Sequence, residues 1–198
     1  MPAGRPRTFD LQQALDRALR VFWRKGYEGA SLPDLTAAMG INRPSLYAAF
    51  GNKEALFRQA VDRYLAGPAC HVREALAAPT ARAATEQLLA RSIELVTGRR
   101  NPRGCFLVQG ALAGGDTASG PRRELNRRRA ATEAALRQRY EQAIRTGELP
   151  AGTSAGQLAK YFAVVMHGMA VQAAGGARAA ELRQVAQTAL RAWPHDGK

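Results

Sequence analysis

The segment from residue 31 to residue 53 constrains the fold of this chain most, because it predicts two short helices joined by a tight turn. Ser31 and Asp34 have the S-x-x-D spacing of a capping box, which indicates where the first helix begins. Gly40 can adopt the left-handed backbone conformation that ends a helix. Asn42 can cap the second helix. The segment therefore predicts a helix-turn-helix with a further helix directly after it.

The second helix of this segment has an apolar inner face and a mixed outer face. Leu46, Ala49 and Phe50 have the spacing of one buried helical face. The opposite face is then formed by Arg43, Ser45, Tyr47 and Ala48, with Pro44 in the first turn, where proline is tolerated. A short helix with a small, polar and aromatic outer face, held across another helix, has the shape that enters a DNA major groove.

A set of residues between Phe9 and Tyr64 carries a family resemblance. The set comprises Phe22, Gly26, Tyr27, Ser31, Leu35, Gly40, Ile41, Ser45, Leu46, Tyr47, Phe50, Asn52, Lys53, Glu54, Leu56 and Phe57. With these residues the stretch resembles the DNA-binding domain of the TetR family of bacterial transcriptional regulators. The resemblance implies an N-terminal three-helix DNA-binding domain and a C-terminal ligand-binding and dimerisation domain.

The rest of the chain predicts helices alone, since no stretch alternates polar and apolar residues with a strand's period of two. The apolar spacing predicts about nine helices in an all-α fold. Beyond the two short helices they cover residues 9–25, 53–76, 83–96, 105–112, 121–145, 154–174 and 179–193. We expect a DNA-binding domain at residues 1–52 and a ligand-binding and dimerisation domain at residues 53–198, with the helix from Lys53 shared.

Arg43 is the best candidate for reading a base, because a guanidinium can pair with guanine or grip a phosphate. The resemblance implies that Ser45 and Tyr47 touch phosphate or bases. Pro44 and Ala48 can offer apolar contact to thymine methyl groups.

Four further residues are candidates for contacts with the DNA backbone or the minor groove. Lys53 lies in the first turn of its helix, where a cation beside free N–H groups can clamp a phosphate. The hydroxyl of Ser31 can also reach a phosphate. Arg5 and Arg7 either enter the minor groove, as basic arms do, or belong to a tail without structure.

Cys105 is the candidate sensing residue of the second half. Three arginines, Arg99, Arg100 and Arg103, precede it, and a helix is predicted to start there. Both features lower the pKa of a thiol and favour the reactive thiolate. Some members of the resembled family that sense electrophiles or oxidants look similar here, with a Gly-Cys pair at the start of the corresponding helix. The alternative is a small buried hydrophobic residue.

His167 interrupts an apolar helix, and Gln109 and Gln172 are polar residues in the same half. These three could line a ligand cavity between helices. Alternatively, they are hydrogen-bonded polar groups of the core or of a dimer contact. The three histidines are far apart in sequence, so no metal site or other cofactor is expected.

Composition narrows the possible functions. The net charge of +13 favours a polyanionic partner. Two cysteines make neither a disulfide framework nor a zinc site. No signal peptide or membrane span is evident, so a cytoplasmic protein is expected. An enzyme is not indicated, because no nucleophile–base pair, paired carboxylates or glycine-rich phosphate loop is present.

The sequence thus predicts a ligand-responsive transcriptional regulator, most simply a repressor that an effector releases from a palindromic operator. Double-stranded DNA, a small-molecule effector and a second copy of the chain are the expected partners. The copies are expected to pair through the last two helices, where Ala163, Gly168 and Ala189 allow close approach. A thiol-based sensor of the same fold and a non-specific DNA-binding protein are the alternatives.

Overall fold

The computed structural model describes residues 9–112 and 119–194, in which ten α-helices and no strands are present. The helices are α1 (Leu11–Gly29), α2 (Leu32–Met39), α3 (Arg43–Phe50), α4 (Lys53–Ala66), α5 (His71–Leu76), α6 (Ala81–Thr97), α7 (Phe106–Leu112), α8 (Ser119–Arg145), α9 (Ala155–Ala174) and α10 (Ala179–Leu190). The expected all-α fold is confirmed.

The helix predicted for residues 53–76 is in fact two helices. α4 ends at Ala66, because Gly67 takes the non-helical torsion angles φ −111° and ψ −96°. Pro68 follows and lacks the N–H that a continuing helix would need. A new helix, α5, begins at His71, which raises the number of helices from the predicted nine to ten.

The described residues form two apolar cores, and the buried side chains of α4 belong to the first. The first core is built by α1 to α4 around Phe22, Leu35, Leu46 and Phe57. It also contains Phe106, so α7 is anchored in the N-terminal unit. The second core is built by the following helices around Leu88, Leu136, Phe162, Leu182 and Trp193.

Two consecutive residues of α4, Asp62 and Arg63, form ion pairs with different helices. Arg63 binds Asp16 of α1 through two hydrogen bonds of 2.6 and 2.9 Å. Asp62 accepts a hydrogen bond of 2.5 Å from Arg128 of α8. α4 is therefore tied to both units within one turn.

Candidate nucleic-acid interface and regulatory cavity

The turn between α2 and α3 is fixed by local hydrogen bonds. Gly40 ends α2 in the left-handed conformation, with φ 69°. The side chain of Asn42 then caps α3 by accepting a hydrogen bond from the Ser45 N–H at 2.9 Å. Because Leu46 and Phe50 are buried against the first core, α3 can present only its opposite side outward.

The outer face of α3 carries the side chains that the sequence analysis predicted to face outward. Arg43, Pro44 and Ala48 are exposed, and Ser45 is half-buried. Tyr47 is 48% exposed, unusually high for a tyrosine of a packed helix. These five side chains form one polar and aromatic surface, which we call the α3 face.

Ser31 and Asp34 form the predicted capping box at the start of α2. The Ser31 hydroxyl accepts a hydrogen bond from the Asp34 N–H at 3.1 Å, and the Asp34 carboxylate accepts one from the Ser31 N–H at 3.1 Å. Lys25 of α1 pairs with the same carboxylate at 2.7 Å. These contacts hold the pKa of Asp34 down to about 2, with the Lys25 hydrogen bond as the largest cause. Ser31 itself is exposed.

Lys53 lies at the start of α4, close to the end of the α3 face. Its Nζ atom is 4.5 Å from the centre of the Tyr27 ring, a cation–π contact. Partial burial lowers the pKa of Lys53. The ammonium is therefore held in a defined position rather than on a free side chain. Arg5 and Arg7 lie outside the described residues.

A cavity of about 420 Å³ lies at the C-terminal end of α4, where Tyr64 and Leu65 line it. Its lining is contributed by α4 to α9 and is mainly apolar, with Leu65, Leu76, Leu95 and Met166 among its side chains. The cavity thus adjoins the same helix that carries the ion pairs to α1 and α8.

Cys105 lines this cavity, but the expected lowering of its thiol pKa is wrong. Burial raises the pKa of the Cys105 thiol and outweighs the hydrogen bond from Tyr64. Arg103 does not offset the burial, because its guanidinium binds the carbonyl oxygens of Ala173 and Ala177 at 3.0 and 2.6 Å. The thiol is therefore neutral in this setting.

Of the three polar residues proposed as cavity lining, only His167 is found there. Gln172 is exposed on the outside of α9. The Gln109 amide packs against Gly104, where a Cβ atom would come within 2.5 Å of Nε2. Gln109 therefore supports the loop before α7 instead of facing the cavity.

The lining also contains polar residues that sequence reasoning did not single out, namely His71, Arg73, Ser92, Arg128 and Thr132. His71 Nε2 is 3.2 Å from the Ser92 hydroxyl, and burial lowers the pKa of His71. These residues come from α5, α6 and α8 and carry no local pattern, so only the tertiary fold could bring them together.

An apolar stripe runs along the outside of α9, and α10 also exposes an apolar side chain. The exposed side chains are Tyr161, Val164 and Val171 on α9 and Val185 on α10, with Gly168 between the first two and Val171. Of the small residues expected at a dimer contact, Ala163 and Ala189 are instead buried inside the protomer. Their spacing reflects packing within one chain.

In the described ranges 9–112 and 119–194, no three His, Cys, Asp or Glu side chains are grouped so as to hold a metal ion. No helix in this part of the chain is long and apolar enough to cross a membrane.

Two models of known protein families match this chain, one in each half. The family model of the bacterial regulatory proteins, tetR family, matches residues 14–60, and that of the tetracyclin repressor-like C-terminal domain matches residues 83–189. The HTH-type transcriptional repressor ComR of Escherichia coli (strain K12) is 35% identical over 193 residues, which cover 96% of this chain and 92% of ComR.

A solved structure gives a further comparison. It contains a cysteine mutant of the TetR family transcriptional regulator CifR complexed with 26-bp double-strand operator DNA. This chain is 43% identical to it with a TM-score of 0.93, over 96% of this chain and 100% of the CifR chain.

Proposed function

This chain belongs to the TetR family of bacterial transcriptional regulators, and we propose that it is a repressor that an effector releases from a palindromic operator. The observation that carries the proposal is the position of α4. This helix starts at Lys53 beside the α3 face, and its other end lines the cavity. An occupant of the cavity therefore has a direct route to the DNA-binding unit.

The α3 face supplies the contacts to DNA in this proposal. Arg43 reads a base or grips a phosphate, and Tyr47 and Ser45 contribute hydroxyl groups. Lys53 and Ser31 bind the flanking backbone. The structural match to CifR bound to its operator supports this assignment, because the arrangement of this chain is close to that of a DNA-bound relative.

A homodimer forms through the apolar stripe on α9 and α10. A group of exposed apolar side chains is a common mark of a protein contact. A two-fold dimer would place two α3 faces about one helical turn of DNA apart, roughly 34–36 Å, so the operator should be a near-palindrome. Residues 1–52 would then bind DNA, and residues 53–198 would bind the effector and the second copy.

Operator selection tests this function. The protein is incubated with random duplexes of about 26 bp, and bound sequences are recovered and read. We expect enrichment of a near-palindrome, and repression when this sequence is placed before a reporter gene. Uniform recovery of all sequences, with a steep salt dependence, would instead identify a non-specific DNA-binding protein.

The second candidate is a thiol sensor, supported by the position of the Cys105 side chain at the cavity. An electrophile held in the cavity would alkylate the sulfur and remain there as a permanent occupant. Cys105→Ser separates the two candidates once the effector is known. A reversible effector still releases the operator from this variant, whereas a thiol-directed one does not.

A further inference from the structure

Among the described residues, the charged groups that line the cavity all have one sign. Arg73 and Arg128 line it, and no aspartate or glutamate side chain of this part of the chain does. Burial lowers the pKa of His71 and of His167, so these two histidines are neutral near pH 7. Between the arginines the lining is mainly apolar. Such a cavity excludes cations and suits an apolar molecule that carries one negative charge.

Arg128 is placed to receive that charge. Its Nε atom donates to Glu124 at 2.6 Å and its Nη2 atom donates to Asp62 at 2.5 Å. Among the described residues, its Nη1 group has no hydrogen-bond acceptor and is left for a ligand. The side chain is 28% exposed, so it lies at an edge of the cavity rather than in its apolar interior.

We propose that Arg128 recognises an effector with a carboxylate on an apolar body, and that the effector withdraws Arg128 from Asp62. The proposal rests on the proposed function and names the ligand class of its cavity. A carboxylate binds a guanidinium best through two parallel hydrogen bonds. With Nε held by Glu124, the pair of nitrogens available for this geometry is Nη1 and Nη2, and Nη2 is the atom that now binds Asp62.

Loss of the Arg128–Asp62 contact affects the DNA-binding unit because α4 connects the two. Asp62 is next to Arg63, which is bound to Asp16 of α1 by two hydrogen bonds. In this proposal the Arg128–Asp62 contact belongs to the form that binds operator DNA. An effector that binds better when the contact is broken shifts the protein away from that form.

Matched probe pairs test the recognition step without DNA. The probes are 4-phenylbutyrate with 4-phenylbutan-1-ol, and octanoate with octan-1-ol, each of about nine to twelve non-hydrogen atoms and suited to the cavity. Binding is measured by calorimetry on the full chain. We expect each acid to bind at least about tenfold tighter than its alcohol, the value of a charge-assisted hydrogen bond.

Neighbouring arginines provide the control. Arg128→Met should remove the preference for the acid, and Arg128→Lys should keep part of it. Arg127→Met should leave it intact, because Arg127 also pairs with Glu124 but does not line the cavity. Equal binding of acid and alcohol, equal loss in both methionine variants, or no binding of either pair at millimolar concentration would overturn the proposal.

Operator release is measured separately, so that the two proposals can fail independently. Saturating acid should weaken operator binding by the wild type by about tenfold or more. Asp62→Asn should weaken operator binding in the absence of any probe. An acid that binds through Arg128 and leaves operator affinity unchanged would refute release by a cavity occupant, while its recognition by Arg128 would stand.

Discussion

The hydroxyl of Tyr64 donates a hydrogen bond to the sulfur of Cys105, with 3.3 Å between the two atoms. Tyr64 belongs to α4, and Cys105 immediately precedes α7. The Tyr64 ring also packs edge-on against Trp23 of α1, with 4.8 Å between ring centres. A group attached to the sulfur would therefore disturb a contact chain that ends in the DNA-binding unit.

The pH dependence of Cys105 alkylation follows from the burial of this thiol. In a Cys70→Ser background, the rate of reaction with N-ethylmaleimide should rise with pH, because only the thiolate reacts. Burial raises the pKa of Cys105, so the midpoint should lie above the value of about 8.5 for an unperturbed cysteine. Mass spectrometry of timed samples gives the rate, and the guanidinium-unfolded protein is the reference. If the pH midpoint of alkylation is lower in the folded protein than in the unfolded protein, the fold activates the Cys105 thiol, as the sequence predicted.

DNA affinity should respond differently to Arg43 and Lys53. Arg43→Ala should cost about 1–3 kcal/mol on the selected operator and relax preference at one base position. Lys53→Ala should weaken operator and random duplexes alike and reduce the salt slope by about 0.9. Fluorescence anisotropy at several salt concentrations measures both variants. If Arg43→Ala loses as much affinity for random DNA as for the operator, Arg43 contacts only phosphate.

The parts of this structure that sequence predicted are those controlled by neighbours in the chain. Gly40 and Asn42 fix the turn before α3 through contacts within a few residues. The pKa shift of the Cys105 thiol was predicted in the wrong direction, because the surroundings of this residue come from distant parts of the chain. Tyr64, which hydrogen-bonds its sulfur, lies 41 positions earlier in the chain. Arg103, expected to activate the thiol, binds carbonyl groups 70 and 74 positions later.

The sequence predicted neither the break after α4 nor the polar groups of the cavity. Gly67 and Pro68 stand between two apolar helical stretches whose spacing is compatible with one long helix. Arg128 lies on a heavily charged helix, where its sequence neighbours suggest only a solvated surface. Its role at the cavity depends on how α8 packs against α4, which no local pattern encodes.

Dimerisation should depend on the apolar stripe. Val164 is 60% exposed and lies on its α9 portion, so Val164→Glu should place two like charges in a two-fold interface. We expect this variant to sediment as a folded monomer at micromolar concentration. Tyr47→Glu is the matched control, because it changes another exposed apolar residue on the α3 face. That control should remain dimeric and lose DNA binding. If Val164→Glu also remains dimeric, the dimer interface does not include the apolar stripe.

The Asp34 carboxylate should make stability depend on pH in the acid range. Hydrogen bonds from Lys25 and Ser31 lower its pKa to about 2 in the folded protein, against about 3.9 for an unperturbed aspartate. A depressed carboxylate pKa stabilises the fold fully above the unfolded value, and this contribution disappears as the pH falls through the folded value. Asp34→Asn should therefore lower the free energy of unfolding at pH 7, and the difference from wild type should shrink between about pH 4 and pH 2.

Chemical denaturation at a series of pH values measures this difference. Lys25→Met is the matched variant, because it removes the largest cause of the shift and keeps the capping box. Its pH-dependent loss of stability should therefore be smaller than that of the wild type and should be complete at a higher pH, because only the folded-state pKa is changed. A difference between wild type and Asp34→Asn that stays constant with pH would mean that the side chain's geometry, rather than its charge, supports α2.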